Sequence, residues 1–388
     1  MKKIKKFTYG GALIGVAEKK AIMRVVDKNW WPLDREGKLL EKEAALFLGV
    51  KYGVLANSGS SAGLLALSAL ELPKGSEVII PATTFPTIFN IILQCGLIPV
   101  VVDSKIGTYN LDPDELEQAI SKKTKAIICV HALGNVIDLV KVKKIAKKYN
   151  LKVILDNCDG FGSNLHGKKV ETYVDISFTS FHAAHIVAMG QGGGVFTNSK
   201  ELARRVRMYR DWGRQSDIPR RTNGKKWPTL PEDYDARFIY EKIGYNLSPL
   251  ELQAAMGRVQ LRKTGMIKRL RKRNFDYLYK HLSQFSELIM PKWIQGADPS
   301  WFSFPFTVKG DRGKLVAYLE KNGIETRSMF AGNVLKHPMC INIKHRSTLR
   351  DDSECNTILR SSFWITVHPR YHPRDLQYIV DVFKRYYA

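Results

Sequence analysis

The chain has 388 residues, enough for one large domain and a smaller one with ample core. Its composition, 44% hydrophobic and 25% charged with 29 Gly and 16 Pro, is that of an ordinary folded protein. A net charge of +24 favours anionic partners or a solvated lysine-rich surface, and five cysteines without a CxxC pair disfavour a disulfide framework and suit a reducing cytoplasm.

Met1-Lys2-Lys3-Ile4-Lys5-Lys6 opens like the basic end of a signal peptide. The apolar stretch after it is short, broken by Gly10-Gly11, and lacks a cleavage site. Asn57-Ser58-Gly59-Ser60-Ser61-Ala62 then runs into an apolar helix. Small residues there let backbone N–H groups and hydroxyls approach an anion at a helix N-terminus; a well-capped turn is the plainer alternative. Phe85 follows in Thr83-Thr84-Phe85-Pro86, where it could stack on a ring or simply join the core. The apolar stretch from Phe85 to Val102 is interrupted by Asn90, Gln94, Gly96 and Pro99. It reads as a helix and a strand, and no membrane span is expected.

Short apolar runs predict strands at Val78–Ile80, Pro99–Val102, Ala126–Val130, Val153–Asp156, Ile176–Phe178 and Gly194–Thr197. Asp112-Pro113-Asp114-Glu115 places a cap, an N1 proline and an N3 glutamate before a helix. Ser248-Pro249-Leu250-Glu251 repeats that chemistry before a helix predicted to end near Leu261. Buried strands separated by helices imply an α/β fold with a mostly parallel sheet. Asp156 ends its strand where open α/β sheets bind ligands, although a lone aspartate there also serves as a cap or metal ligand.

Residues 212–243, rich in Arg, Pro, Gly and Asp, break the rhythm and read as a lid or substrate loop. A basic helix is expected near 264–283, with Met266, Ile267 and Leu270 on its apolar side. No aromatic platform is interleaved with its charges, so nucleic acid is not an expected partner. The pattern restarts at Trp301–Val308, with helices at about 312–322 and 373–386, predicting a smaller second α/β domain.

Six blocks, in order, carry a resemblance. They are Asn57–Ala62, Pro81-Ala82-Thr83-Thr84-Phe85, Asp156-Asn157-Cys158-Asp159, Ser180-Phe181-His182, Gly190-Gln191-Gly192-Gly193 and Gly244-Tyr245-Asn246-Leu247. From about Gly10 onward the chain resembles the DegT-type family of pyridoxal phosphate (PLP)-dependent sugar aminotransferases and dehydratases. The resemblance implies an aspartate-aminotransferase-like α/β fold (fold type I). A large cofactor domain would span 1–263 and a smaller C-terminal α/β domain 264–388. By that likeness Gly59, Ser60 and Ser180 hold the cofactor phosphate, Phe85 stacks on the ring, Asp156 pairs with the pyridine nitrogen and Asp159 sits beside the ring hydroxyl. Asn246 would reach the phosphate of a neighbouring subunit, which implies a homodimer with shared sites.

His185 stands where the family carries the lysine that tethers PLP. Imidazole forms no stable imine, yet it moves protons near neutral pH. Within the family a histidine in that slot marks the nucleotide-4-keto-6-deoxyhexose 3-dehydratases. Arg210-Asp211-Trp212-Gly213-Arg214, Asp298-Pro299-Ser300-Trp301-Phe302, Phe330-Ala331-Gly332-Asn333 and Ala132-Leu133-Gly134-Asn135 are similar to that branch as well. The likeness implies pyridoxamine phosphate (PMP) as a loosely held cofactor, His185 as catalytic base and a nucleotide-diphosphate 4-keto-6-deoxysugar as substrate. Glutamate would restore PMP. CDP-sugar members of the branch hold a [2Fe-2S] cluster on four cysteines, one after the ring aspartate and three in the loop after Asp-Trp-Gly-Arg. Cys158 matches the first, but residues 211–243 contain no cysteine. One thiolate cannot hold that cluster, so none is expected; the chain resembles the CDP-sugar members most in wording, but the GDP-sugar, colitose-type members are the better guide to mechanism.

Three other readings compete. Gly59-Ser60-Ser61-Ala62-Gly63 fits a G-x-S-x-G elbow, and Ser61, Asp156 and His185 follow in hydrolase order. That reading leaves the later Gly-rich blocks without a purpose. A zinc site on His182 and His185 lacks thiolate or carboxylate partners at suitable spacing, so no metal is expected. The third is a sugar-nucleotide binder without turnover. The nucleotide, the sugar stereochemistry and the choice between Arg214 and Arg327 for the diphosphate stay open.

Overall fold

A computed structural model describes residues 5–215, 227, 229–231 and 233–388; part of the 212–243 loop therefore lies outside the described residues. All six predicted strands are present, in an eight-stranded sheet. Its order is Tyr52–Ala56, Gly193–Thr197, Ile176–Ser180, Lys152–Asp156, Thr124–Val130, Glu77–Pro81, Ile98–Val102 and Arg346–Ser347. Gly193–Thr197 pairs antiparallel with both its neighbours, and the pairings from Ile176–Ser180 onward are parallel.

Alternation along the strands explains the layers. Val78, Ile80, Val101, Ile128 and Ile154 pack under helices Gly59–Ala69, Thr87–Gln94 and Lys200–Arg210. Ile79, Val100, Ile127, Cys129, Val153 and Leu155 face the other way, toward helix Leu139–Lys148. Tyr52–Ala56 is absent from the predicted strands because Gly53 interrupts its apolar run. The glycine is needed: a Cβ there would lie 2.6 Å from the Glu41 carbonyl oxygen.

A second sheet, in the order Leu288–Ile289, Ser303–Val308, Ser362–Thr366 and Thr326–Ser328, is antiparallel throughout. Helices Arg312–Lys321 and Pro373–Tyr387 accompany it. Phe7 joins this core and bridges Ile324, so the chain's beginning packs with its end.

Four expectations are corrected. No helix ends near Leu261: Glu251–Leu282 is one helix of 32 residues that runs through the 263/264 junction. Its N-cap is Leu250 rather than Ser248, with Gln253 Oε1 accepting from the Leu250 N–H at 2.8 Å. Met266 is 39% exposed and Leu270 only half-buried; the buried stripe is Thr264, Ile267, Arg271, Phe275, Leu278 and Leu282. The fully buried arginine in that stripe disguised its apolar period. Asp112 does cap, accepting from the Asp114 N–H at 3.0 Å, but it opens a single 3-10 turn before the short helix Leu116–Ala119.

Tyr109 links the two halves, its hydroxyl 3.0 Å from Thr307 Oγ1 in a buried chain that continues to Ser362 Oγ at 2.7 Å. Tyr109→Phe leaves Thr307 partnered by Ser362, so a loss of only about 1 kcal/mol is expected in urea unfolding.

Candidate active site

The strand Tyr52–Ala56 turns at Asn57 into helix Gly59–Ala69, where the N-cap Ser58 Oγ accepts from the Ser61 N–H at 3.1 Å. The remaining first-turn amides make a cup for an anion. Ser60 Oγ lies 2.8 Å from Thr87 Oγ1 at its rim. Ser180 closes it from the sheet: a Cβ on Gly59 would stand 2.6 Å from the Ser180 Cβ. Phe85, 57% exposed, overhangs the same cavity instead of joining the core.

The cavity has a volume of about 670 Å³. Asp156 enters it from the end of Lys152–Asp156, with Oδ1 accepting from the Cys158 N–H at 3.0 Å. Burial pushes its carboxyl up to about 6. Asp159 accepts from the Leu133 N–H at 3.2 Å through Oδ2, and its Oδ1 lies 3.4 Å from His185 Nδ1. Burial, and then the neighbouring Asp156, push Asp159 up to about 8. Burial, followed by His182 and Arg271, pushes His185 down to about 3, so its imidazole is neutral at physiological pH. The His185 ring packs on Phe302, with centroids 5.2 Å apart.

Gly59, Ser60, Phe85, Asp156, Asp159, Ser180 and His185 thus line one cavity. Asn246 does not; it is exposed and bridges Asp211. The hydrolase relay is not made: Ser61 Oγ accepts from Ser58 Oγ at 2.9 Å, and the carboxylate beside His185 belongs to Asp159, not Asp156. His182 and His185 lie with ring centroids 6.1 Å apart, and no metal-ligating group of three or more side chains converges among the described residues. No lysine lines the cavity among the described residues.

Several lining residues were not foreseen. Tyr9, Phe302, Ser328 and Trp364 arrive from the N-terminal segment and the second sheet, a long-range juxtaposition with no local signal. His131 gives its Nδ1 to Asn157 Oδ1 at 2.9 Å, and Asn157 Nδ2 donates to Glu171 Oε1 at 2.7 Å. Burial pushes Glu171 up to about 7. The protonated form is therefore the one the fold favours, and that contribution is complete below about pH 4.5 and lost as pH rises through about 7. Glu171→Gln keeps the acceptor for Asn157 without the charge. Its melting temperature is expected to gain on the unaltered chain as pH rises from 5 to 8, in thermal scans across that range.

Residues 13–384 match the DegT/DnrJ/EryC1/StrS aminotransferase family. The chain belongs to that family. It is 38% identical to the lipopolysaccharide biosynthesis protein RfbH of Salmonella typhimurium, over 97% of this chain and 91% of that one. It is 37% identical to the dTDP-4-dehydro-2,6-dideoxy-D-glucose 3-dehydratase of Saccharopolyspora spinosa, over 90% and 79%. The fold, that of the PLP-dependent aminotransferases, superposes on crystalline GDP-4-keto-6-deoxymannose-3-dehydratase holding a trapped PLP-glutamate geminal diamine. The TM-score is 0.89 at 27% identity, covering 97% of this family member and 99% of that structure. Among the described residues, no helix is long and apolar enough to cross a membrane.

Proposed function

We propose that the chain removes the C-3 hydroxyl of a nucleotide-linked 4-keto-6-deoxyhexose, using PMP with His185 as the proton carrier. One observation carries the reading: the cavity that joins an anion cup, Phe85 and Asp156 presents His185, and no described lysine, to its interior. The residues suit the cofactor. First-turn amides, Ser60 and Ser180 would take a phosphate, exposed Phe85 a ring face, and Asp156 a protonated ring nitrogen. Buried His131, a lining residue, has no hydrogen-bond partner at Nε2, as expected of a wall shaped for a polar ligand.

PMP, when bound, supplies the amine that condenses with the C-4 ketone and a ring that accepts an electron pair. The chain does the rest. Asp156 holds the ring nitrogen's proton from a buried strand end. Asp159, with Oδ1 3.4 Å from Nδ1, would in its ionised form keep the ring hydrogen on that side and leave Nε2 to accept a proton and then return it to the departing hydroxyl as water. Phe302 and Trp364 keep solvent from that exchange, as both are buried lining residues. Arg327, over the Tyr9 ring at 4.8 Å, lines this cavity, whereas Arg214 lies over the rings of Trp212, Phe238 and Tyr240. Arg327 is therefore the guanidinium assigned to the substrate's anionic groups. Exposed Asn246 would serve the cup of a second copy, making a homodimer.

Glutamate is the proposed amino donor; one glutamate and one sugar would give 2-oxoglutarate, ammonia and a sugar short of one oxygen atom. The test incubates the chain with PMP, glutamate and a panel of nucleotide 4-keto-6-deoxysugars, then weighs the products. A product lighter by one oxygen with stoichiometric ammonia supports dehydration. A product bearing the donor's nitrogen makes the chain an aminotransferase and sinks the reading.

A further inference from the structure

The helix Glu251–Leu282 brings Arg271 behind the cavity, where it is 1% exposed. Nη2 donates to the Ala184 carbonyl at 3.1 Å and Nη1 to that of Phe302. The guanidinium also lies 5.3 Å from the centroid of the Phe302 ring. Ala184 immediately precedes His185, and Phe302 is the ring against which the imidazole packs. One cation therefore fixes the imidazole through its backbone and through its stacking partner. Burial brings Arg271 down to about 10, which still leaves it charged, and the carboxyl whose field it feels is Asp159.

That field matters because the His185–Asp159 contact has two proton arrangements. With Asp159 ionised, Nδ1 carries the hydrogen and Nε2 is a bare base. With the proton on Asp159, Nδ1 becomes the acceptor and the ring hydrogen moves to Nε2, which can then accept nothing. Asp156 pushes Asp159 toward the protonated arrangement, and Arg271 pushes it back. The other charged or titratable neighbours among the described residues are Cys158, whose thiol lies within the field of Asp159, His182, at 6.1 Å between centroids, and His368, which also lies within the field of Arg271 and is hydrogen-bonded to the Gly11 carbonyl.

We propose that Arg271 is a positioning residue for proton transfer: it holds the His185 imidazole beside Asp159, and its charge lowers the pH above which Nε2 is free. The inference rests on the dehydration reading above, and the two can fail separately.

The experiment is 15N NMR of histidine-labelled holoenzyme, with H185N identifying the resonance. The unaltered chain is expected to show hydrogen on Nε2 below about pH 8, and hydrogen on Nδ1 with a bare Nε2 above it. R271M should raise the pH at which that form appears by about 1 unit, while R271K, which retains the charge, should leave it in place. In turnover, R271K is expected to lower kcat with little change in KM. Hydrogen on Nε2 throughout in the unaltered chain overturns the proposal. So does an R271M that leaves the arrangement unmoved, or an R271K that shifts it as far as R271M. Should R271M not fold, the unaltered chain and R271K still decide. Failure of the unaltered chain to deoxygenate any sugar would instead sink the dehydration reading, whatever the tautomer.

Discussion

Replacing His185 by asparagine is expected to lower C-3 deoxygenation by about 10²–10⁴-fold, the usual contribution of a positioned acid–base group. The melting temperature and the affinity for PLP should change little. Asparagine can still donate to Asp159, which lies 3.4 Å from Nδ1 in the unaltered chain, but it offers no basic nitrogen on its far side. Lysine is the complementary substitution. His185→Lys places a primary amine in a pocket with no other described lysine, so borohydride should fix PLP covalently to the variant while deoxygenation is lost. Rates for the two variants, with the mass of the borohydride-treated chain, check both halves. Wild-type deoxygenation by either variant would remove His185 from the mechanism.

The pieces of this site differ in how far the sequence disclosed them. The anion cup is local: Asn57–Ala62 is a strand-to-helix turn, and Ser58 caps it from within the same segment. Asp156 is legible for the same reason, being the last residue of a short apolar run. Arg271 is hidden by its company. It sits in Lys268–Arg273, where a row of cations reads as a solvated face, and only the packing of Ile267, Phe275 and Leu278 shows that this arginine points inward. The wall made by Tyr9, Phe302, Arg327 and Trp364 depends on Phe7 pairing beside Ile324, a contact between segments far apart in the chain that no periodicity encodes. The missing helix break near Leu261 has a simple cause as well. Gly265 weakens helix propensity, but a Cβ there would meet nothing within 4 Å, and the neighbouring buried residues Thr264 and Ile267 carry the helix through.

Gly193→Ala is expected to weaken PLP binding by about 10- to 100-fold, from about 1–3 kcal/mol of overpacking at the cup. Gly193 pairs with Ala56 on one side and Ser180 on the other, so it lies in the sheet directly beneath the turn that precedes helix Gly59–Ala69. A Cβ there would stand 2.2 Å from the Ser58 carbonyl oxygen and 2.8 Å from the Gly59 nitrogen. Both are backbone atoms, so no side chain can swing aside to make room. The turn must move, carrying with it the amides and Ser60 hydroxyl that would meet the phosphate. Gly190, by contrast, has nothing within 4 Å of the same added atom, although its φ of +80° disfavours a side chain. Gly190→Asn, which tolerates that backbone better, is the matched control. Titration of PLP by absorbance, beside thermal scans of each variant without cofactor, separates a distorted cup from a general loss of stability. A Gly193→Ala chain that melts early yet binds PLP as tightly as the unaltered protein would place the phosphate elsewhere.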